Sequence, residues 1–254
     1  MHAMTRDGPR RRPFARGERS RIVVGVSVSA LLFAVACGRT MPGAELQAPA
    51  EPAVTSISTF VRLACGSESM FPRAQVQASD PSILDDAWRV LGDQKKEECL
   101  IRAVLVLGTL GGEREAGWLH SLLLERTSGP VSRYTSSGLY TVPLALAYIA
   151  TRHSGEPFAR SIADQLLACS SSGYWVGRLP WTDRTEGVAE QNLTVDCIDA
   201  LGSLEFPGVA ARLERISEDT TRSAREREQA QSALERYRRV QALGGLVRAW
   251  QASD

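Results

Sequence analysis

Five cysteines and three histidines are the side chains of this 254-residue chain best suited to covalent or metal chemistry. Their spacing bounds what that chemistry is. Cys65, Cys99, Cys169 and Cys197 include no Cys-x-x-Cys pair and have no histidine beside them, which argues against a zinc site. An even number of thiols in an oxidising compartment permits two disulfides. Proximity in sequence suggests Cys65–Cys99 and Cys169–Cys197. Three connectivities are open, as is a reading of all four as small buried side chains in helix interfaces. His2, His120 and His153 form no His-Glu-x-x-His pattern. No Gly-x-Ser-x-Gly elbow, phosphate loop or dinucleotide fingerprint occurs. Asp85 and Asp86 are adjacent, so a helix would point them to different faces as solvated surface. No catalytic residue, cofactor or metal is therefore expected, and the chain does not read as an enzyme.

Recognition chemistry is better represented. The stretch Gly173-Tyr174-Trp175-Val176-Gly177-Arg178-Leu179-Pro180-Trp181 gathers three aromatics and an arginine in a connection that could be far shorter. Tyr, Trp and Arg dominate interface hot spots, so Tyr174, Trp175, Arg178 and Trp181 are candidate partner-binding residues. The alternative is a loop that folds its aromatics back as a cap over the domain.

The fifth cysteine, Cys37, sits in a different context. Residues 1–36 hold seven arginines against Asp7 and Glu18, a net of +5, whereas the whole chain is only +1. The remainder is thus acidic and has no electrostatic footprint for nucleic acid. An uncharged apolar run, Ile22–Ala36, follows the arginines. As a helix its fifteen residues would span roughly 22 Å, short of the ~30 Å hydrocarbon core, as in a secretory signal peptide rather than a membrane anchor. The exit Ala34-Val35-Ala36-Cys37-Gly38 fits signal peptidase and also resembles the bacterial lipobox, in which a small residue precedes the cysteine that receives diacylglycerol. Ala34 departs from that pattern, which usually has Leu three residues before the cysteine. The Pro/Ala-rich residues after Cys37 read as a flexible tether. The resemblance implies a signal peptide over 1–36, a lipidated tether over 37–54 and a folded domain over 55–254. It places the protein in the cell envelope, as an outer- or inner-membrane lipoprotein facing the periplasm; the alternative is a soluble secreted or periplasmic protein.

The elements of that domain read as helices. No stretch alternates apolar and polar residues over strand length. Ile57, Phe60, Val61 and Ala64 suggest a helix over 55–65, followed by a loop over 66–80. Asp80-Pro81 is a helix start, with an N-cap and a proline in the first turn. It opens a short helix through Trp88 and Leu91. The next helix, 94–110, carries Leu100, Ile101, Val104, Leu105, Leu107 and Leu110, and Gly111-Gly112 stops it. Further helices are predicted at 113–127, 139–152, 157–169, 188–204, 208–218 and 220–240, with a frayed turn at 246–252. Longer connections run over 128–138 and 170–187.

Displacing the sequence by 94 positions superposes two of these segments without a gap. Ile101, Val104, Leu107, Gly108, Leu110, Ala116, Leu119 and Leu122 coincide with Val195, Ile198, Leu201, Gly202, Leu204, Ala210, Leu213 and Ile216. Residues 139–168 form another helix pair between them, giving about 47 residues per unit, near the HEAT/armadillo range. The Leu-Gly-x-Leu turn after an apolar helix resembles HEAT-like repeats of the PBS-lyase type, over about 83–240. The Asp and Arg ladder of classical units is not evident, and the middle unit matches poorly. The resemblance implies an all-α fold, a short α-solenoid of about three to four helical hairpins. The alternative is a compact α-bundle. Such a stack presents a surface to a protein or peptide, so the chain reads as a membrane-anchored interaction scaffold whose anchor is Cys37. Its alternatives are an enzyme or accessory subunit, since some HEAT-like proteins take part in chromophore lyase complexes, and a purely structural envelope protein.

Overall fold

In a computed structural model, residues 73–92, 100–124, 133–179 and 186–252 are described. All fall in the second of the two units into which the chain divides, Pro49–Asp254; the first, Met1–Ala48, contains none of them. The expected signal peptide, tether, 55–65 helix, Cys37, Cys65, Cys99 and Trp181 lie outside the described residues.

The described chain is all-helical: ten helices and no strand among the described residues. They are α1 (Arg73–Gln77), α2 (Ile83–Gly92), α3 (Leu100–Leu110), α4 (Glu113–Leu124) and α5 (Arg133–Arg152), followed by α6 (Pro157–Cys169), α7 (Glu186–Leu201), α8 (Val209–Glu218), α9 (Ala224–Ala242) and α10 (Leu246–Gln251). None of them is long and apolar enough to cross a membrane.

Local chemistry accounts for several boundaries. Pro157 opens α6 after an extended Glu156, where the missing N–H costs nothing. Ser223 caps α9 in a reciprocal box: its hydroxyl accepts from the Glu226 N–H at 3.2 Å, and Glu226 accepts from the Ser223 N–H at 3.1 Å. Between α3 and α4, Gly112 N–H donates to the Glu115 carboxylate at 2.9 Å.

Besides the segment 246–252, expected as a frayed turn and found as the helix α10 with Leu246 and Trp250 buried, two expectations need correction. The expected loop over 66–80 contains α1, held because Val76 is buried against the core. Five residues are too few for helical periodicity to register. The second concerns α5, which begins at Arg133 instead of 139 and carries Pro143 in its interior. Its first turns are rich in Ser, Thr and Gly, poor helix formers. Packing of α5 on α3, α4, α6 and α7 overrides that preference.

The packing has a regular part and an irregular part. Alternate helices form a row, with α3 on α5, α5 on α7 and α7 on α9. The helices between them, α4, α6 and α8, each pack on the next row member. The core follows the row: Ala103–Leu107 of α3, Ala145–Ala150 of α5 and Leu193, Cys197, Ile198 and Leu201 of α7 are buried. Of the superposed pairs, Val104/Ile198, Leu107/Leu201 and Leu119/Leu213 are buried on both sides, whereas Ile101 is 37% exposed and Val195 is buried. Gly108 and Gly202 both sit at close approaches. A Cβ on Gly108 would meet the Ala145 backbone of α5, and one on Gly202 the Ala233 carbonyl of α9 at 2.8 Å. An arginine from the following row helix caps each turn. Arg152 donates to the Gly108 carbonyl at 3.1 Å and to that of Gly111. Arg236 donates to the Asp199 carbonyl and, at 2.7 Å, to its carboxylate.

The irregular part joins the first and last described helices. Helix α10 packs on α9 and on α1, and α1 packs on α3. Trp250 of α10 meets Tyr148 of α5 edge-on at 5.0 Å, and Arg73 of α1 donates to the Tyr148 hydroxyl at 2.8 Å.

Candidate functional site

The segment between α6 and α7 is fixed at its base. Cys169, ending α6, is joined by a disulfide to Cys197 of α7, with Cα atoms 5.9 Å apart. Arg212 of α8 donates to the hydroxyls of Ser170 at 3.1 Å and Ser171 at 2.7 Å. Arg222 donates to the Ser170 carbonyl at 3.0 Å. Beyond that base the chain runs as consecutive turns, with Val176 N–H on Gly173 O and Arg178 N–H on Trp175 O. Gly173 and Gly177 adopt φ of 73° and 66°, the left-handed region that glycine enters without a Cβ penalty.

The structure divides the four candidate recognition residues. Trp175 is only 2% exposed, its ring inside the core, and its Nε1 has no hydrogen-bond partner. Tyr174 is half-buried and meets Trp175 edge-on at 5.1 Å. Arg178 is exposed, its guanidinium carbon 4.4 Å from the Tyr174 ring centre. Trp181 lies outside the described residues. What reaches solvent is therefore a Tyr174–Arg178 pair beside Val176, which is 66% exposed. A cavity of about 220 Å³ adjoins it, walled by Trp175, Val176, Glu190, Thr194 and Glu226.

A second site went unrecognised in the sequence. Where α10 and α1 meet the row, a cavity of about 240 Å³ is lined by Arg73, Arg236 and Arg239 together with Tyr148 and Ser203. Leu144, Val240, Leu246 and Trp250 supply apolar wall. Among the described residues no carboxylate lines it, though Asp199 pairs with Arg236 at its edge. Burial pushes the Tyr148 hydroxyl above its ordinary pKa, opposed by Arg73 and Arg236, so the phenol stays protonated at neutral pH. No local motif announces this site. Its arginines come from α1 and α9, and the shortest signal was Trp250 in a segment that reads as a frayed turn.

Two acids on α7, three residues apart, form a further titratable cluster. Asp199 accepts from Arg236 at 2.7 Å and from Gln229. Asp196 is half-buried, and its carboxyl is pushed up to about 7, chiefly by burial and then by Asp199, with Arg225 opposing. Of the histidines, His153 packs on Phe158 at 5.5 Å. Among the described residues no three His, Cys, Asp or Glu side chains converge as metal ligands.

No protein-family model, curated protein or solved structure matches the chain.

Proposed function

We propose that the chain is a lipid-anchored interaction protein of the cell envelope, built as a short α-solenoid of HEAT-like hairpins. One observation carries the interaction reading. The 171–179 segment offers Tyr174, Val176 and Arg178 to solvent while a disulfide, two arginines and the buried Trp175 hold it in place. A surface held rigid before binding loses little entropy on association. Tyr and Arg are suited to be its anchors. The solenoid reading is supported by the row α3–α5–α7–α9, by intervening helices that each pack on the next row member, and by glycines 94 positions apart at two close approaches. Such neighbour-to-neighbour packing is the economy of repeat proteins. Cys37, acylated after removal of 1–36, would hold the domain at a membrane facing the periplasm.

Two measurements test these halves separately. Labelled palmitate should enter the wild type and not Cys37→Ala; equal labelling of both removes the anchor. Affinity capture from envelope extracts should recover a partner with the wild type and lose it with Tyr174→Ser/Arg178→Ser. Equal recovery moves binding elsewhere.

A further inference from the structure

The cavity where α1 and α10 meet the row shares no residue with the 171–179 surface, and nothing in the interaction reading uses it. Its polar wall consists of donors: three guanidinium groups, the protonated Tyr148 phenol and the Ser203 hydroxyl. Only one of the three arginines has its charge offset by a carboxylate among the described residues, Arg236 through Asp199 at 2.7 Å. Arg73 spends one N–H on the Tyr148 oxygen, a neutral acceptor. Arg236 also keeps a buried Nε with no partner, but that atom lies against Gly202, so Arg236 contributes chiefly charge to the wall. Arg73 and the exposed Arg239 thus bring to the cavity positive charge that no described carboxylate offsets, which suits an anionic acceptor. Guanidinium forks match the spacing of carboxylate and phosphate oxygens.

The rest of the wall limits what the anion can be. Leu144, Val240, Leu246 and Trp250 form an apolar wall that a bare inorganic ion would leave facing water. A cavity of about 240 Å³ also falls below the roughly 300–1,000 Å³ of pockets for drug-sized ligands. We propose that this cavity binds a small organic anion, an oxyanion head on an apolar body. The head would lie against Arg73, Arg239 and Arg236, and the body against Trp250 and Leu246. Because α1 and α10, the first and last described helices, both wall the site, a ligand there would clamp them to the row.

Titration calorimetry on the full chain tests this with three probes: 3-phenylpropionate, phenyl phosphate and inorganic phosphate. One of the two organic anions should bind, and its identity says whether the head is carboxylate or phosphomonoester. Arg239→Gln should weaken that binding about tenfold or more, as expected when a charge-assisted hydrogen bond is lost. Arg238→Gln, which removes the same charge from a neighbour engaged with Glu214, should leave binding within about twofold. Arg73→Gln gives an independent loss from a different helix. Failure of both organic anions to bind overturns the proposal. So does inorganic phosphate binding as tightly as either, or equal weakening by Arg238→Gln and Arg239→Gln.

Discussion

A Cβ on Gly108 would lie 2.6 Å from the Cα of Ala145, closer than carbon atoms of packed helices approach. Helix α3 can therefore pack on α5 at its present distance only with glycine at that position. Gly108→Ala sets two effects against each other. Alanine gains up to about 1 kcal/mol in helix propensity, while overpacking against backbone costs about 1–3 kcal/mol because no flexible side chain can yield. The clash wins, and the midpoint of urea unfolding should fall. Gly117 in α4 has nothing within 4 Å of its Cβ position, so Gly117→Ala should raise the midpoint by roughly 0.5–1 kcal/mol equivalent. Matching shifts in both variants would remove the close-approach role of Gly108.

The Cys169–Cys197 disulfide closes a separation of 28 residues around the candidate recognition segment. A cross-link of that size stabilises by about 2–4 kcal/mol, mainly by restricting the unfolded chain. Under oxidising conditions Cys169→Ala should lose that amount against the wild type. With reductant throughout, the two should converge. Identical unfolding curves without reductant would show that the bond contributes nothing to stability.

These two sites show where sequence was informative. The superposition at 94 residues found Gly108 and Gly202 because close approach of two helices demands a residue without a side chain, and that demand is local. Pro157 likewise marked the start of α6, and Ser223-x-x-Glu226 carried the signature of the box that starts α9, three residues beyond the expected boundary of 220. The basic cavity left no such mark. Arg73 and Trp250 stand 177 positions apart, and no period or spacing reports that α1 and α10 will meet. Side-chain direction in the 171–179 segment was equally hidden, since turns have no periodicity to separate an inward Trp175 from an outward Arg178.

That separation gives a direct test. Trp175→Ala empties a site walled by core residues and should cost about 3–5 kcal/mol. Trp175→Phe keeps most of the apolar volume and removes an indole N–H that has no partner, so it should cost markedly less. Arg178→Ala, at an exposed position, should stay within about 0.5 kcal/mol of wild type. Equal tolerance of Trp175→Ala and Arg178→Ala in chemical denaturation would place the tryptophan at the surface.

Asp196 should make stability fall with rising pH over a defined window. Its folded carboxyl is pushed up to about 7, first by burial and then by Asp199, with Arg225 pulling the other way. In the unfolded chain an aspartate titrates near 3.9, as a rough reference. Below pH ~4 the group is protonated in both states and contributes nothing. Between about 4 and 7 the unfolded chain gives up a proton that the folded protein retains, so unfolding becomes more favourable as pH rises. Above about 7 both states are ionised and the penalty is constant. At about 1.36 kcal/mol per unit, that penalty is on the order of 2–4 kcal/mol. Asp196→Asn cannot ionise and should escape it. Its melting temperature should match wild type near pH 4, exceed it increasingly up to pH 7, and hold a constant margin at pH 8. A margin already present at pH 4, or none at pH 8, would show that the buried carboxylate is not the source.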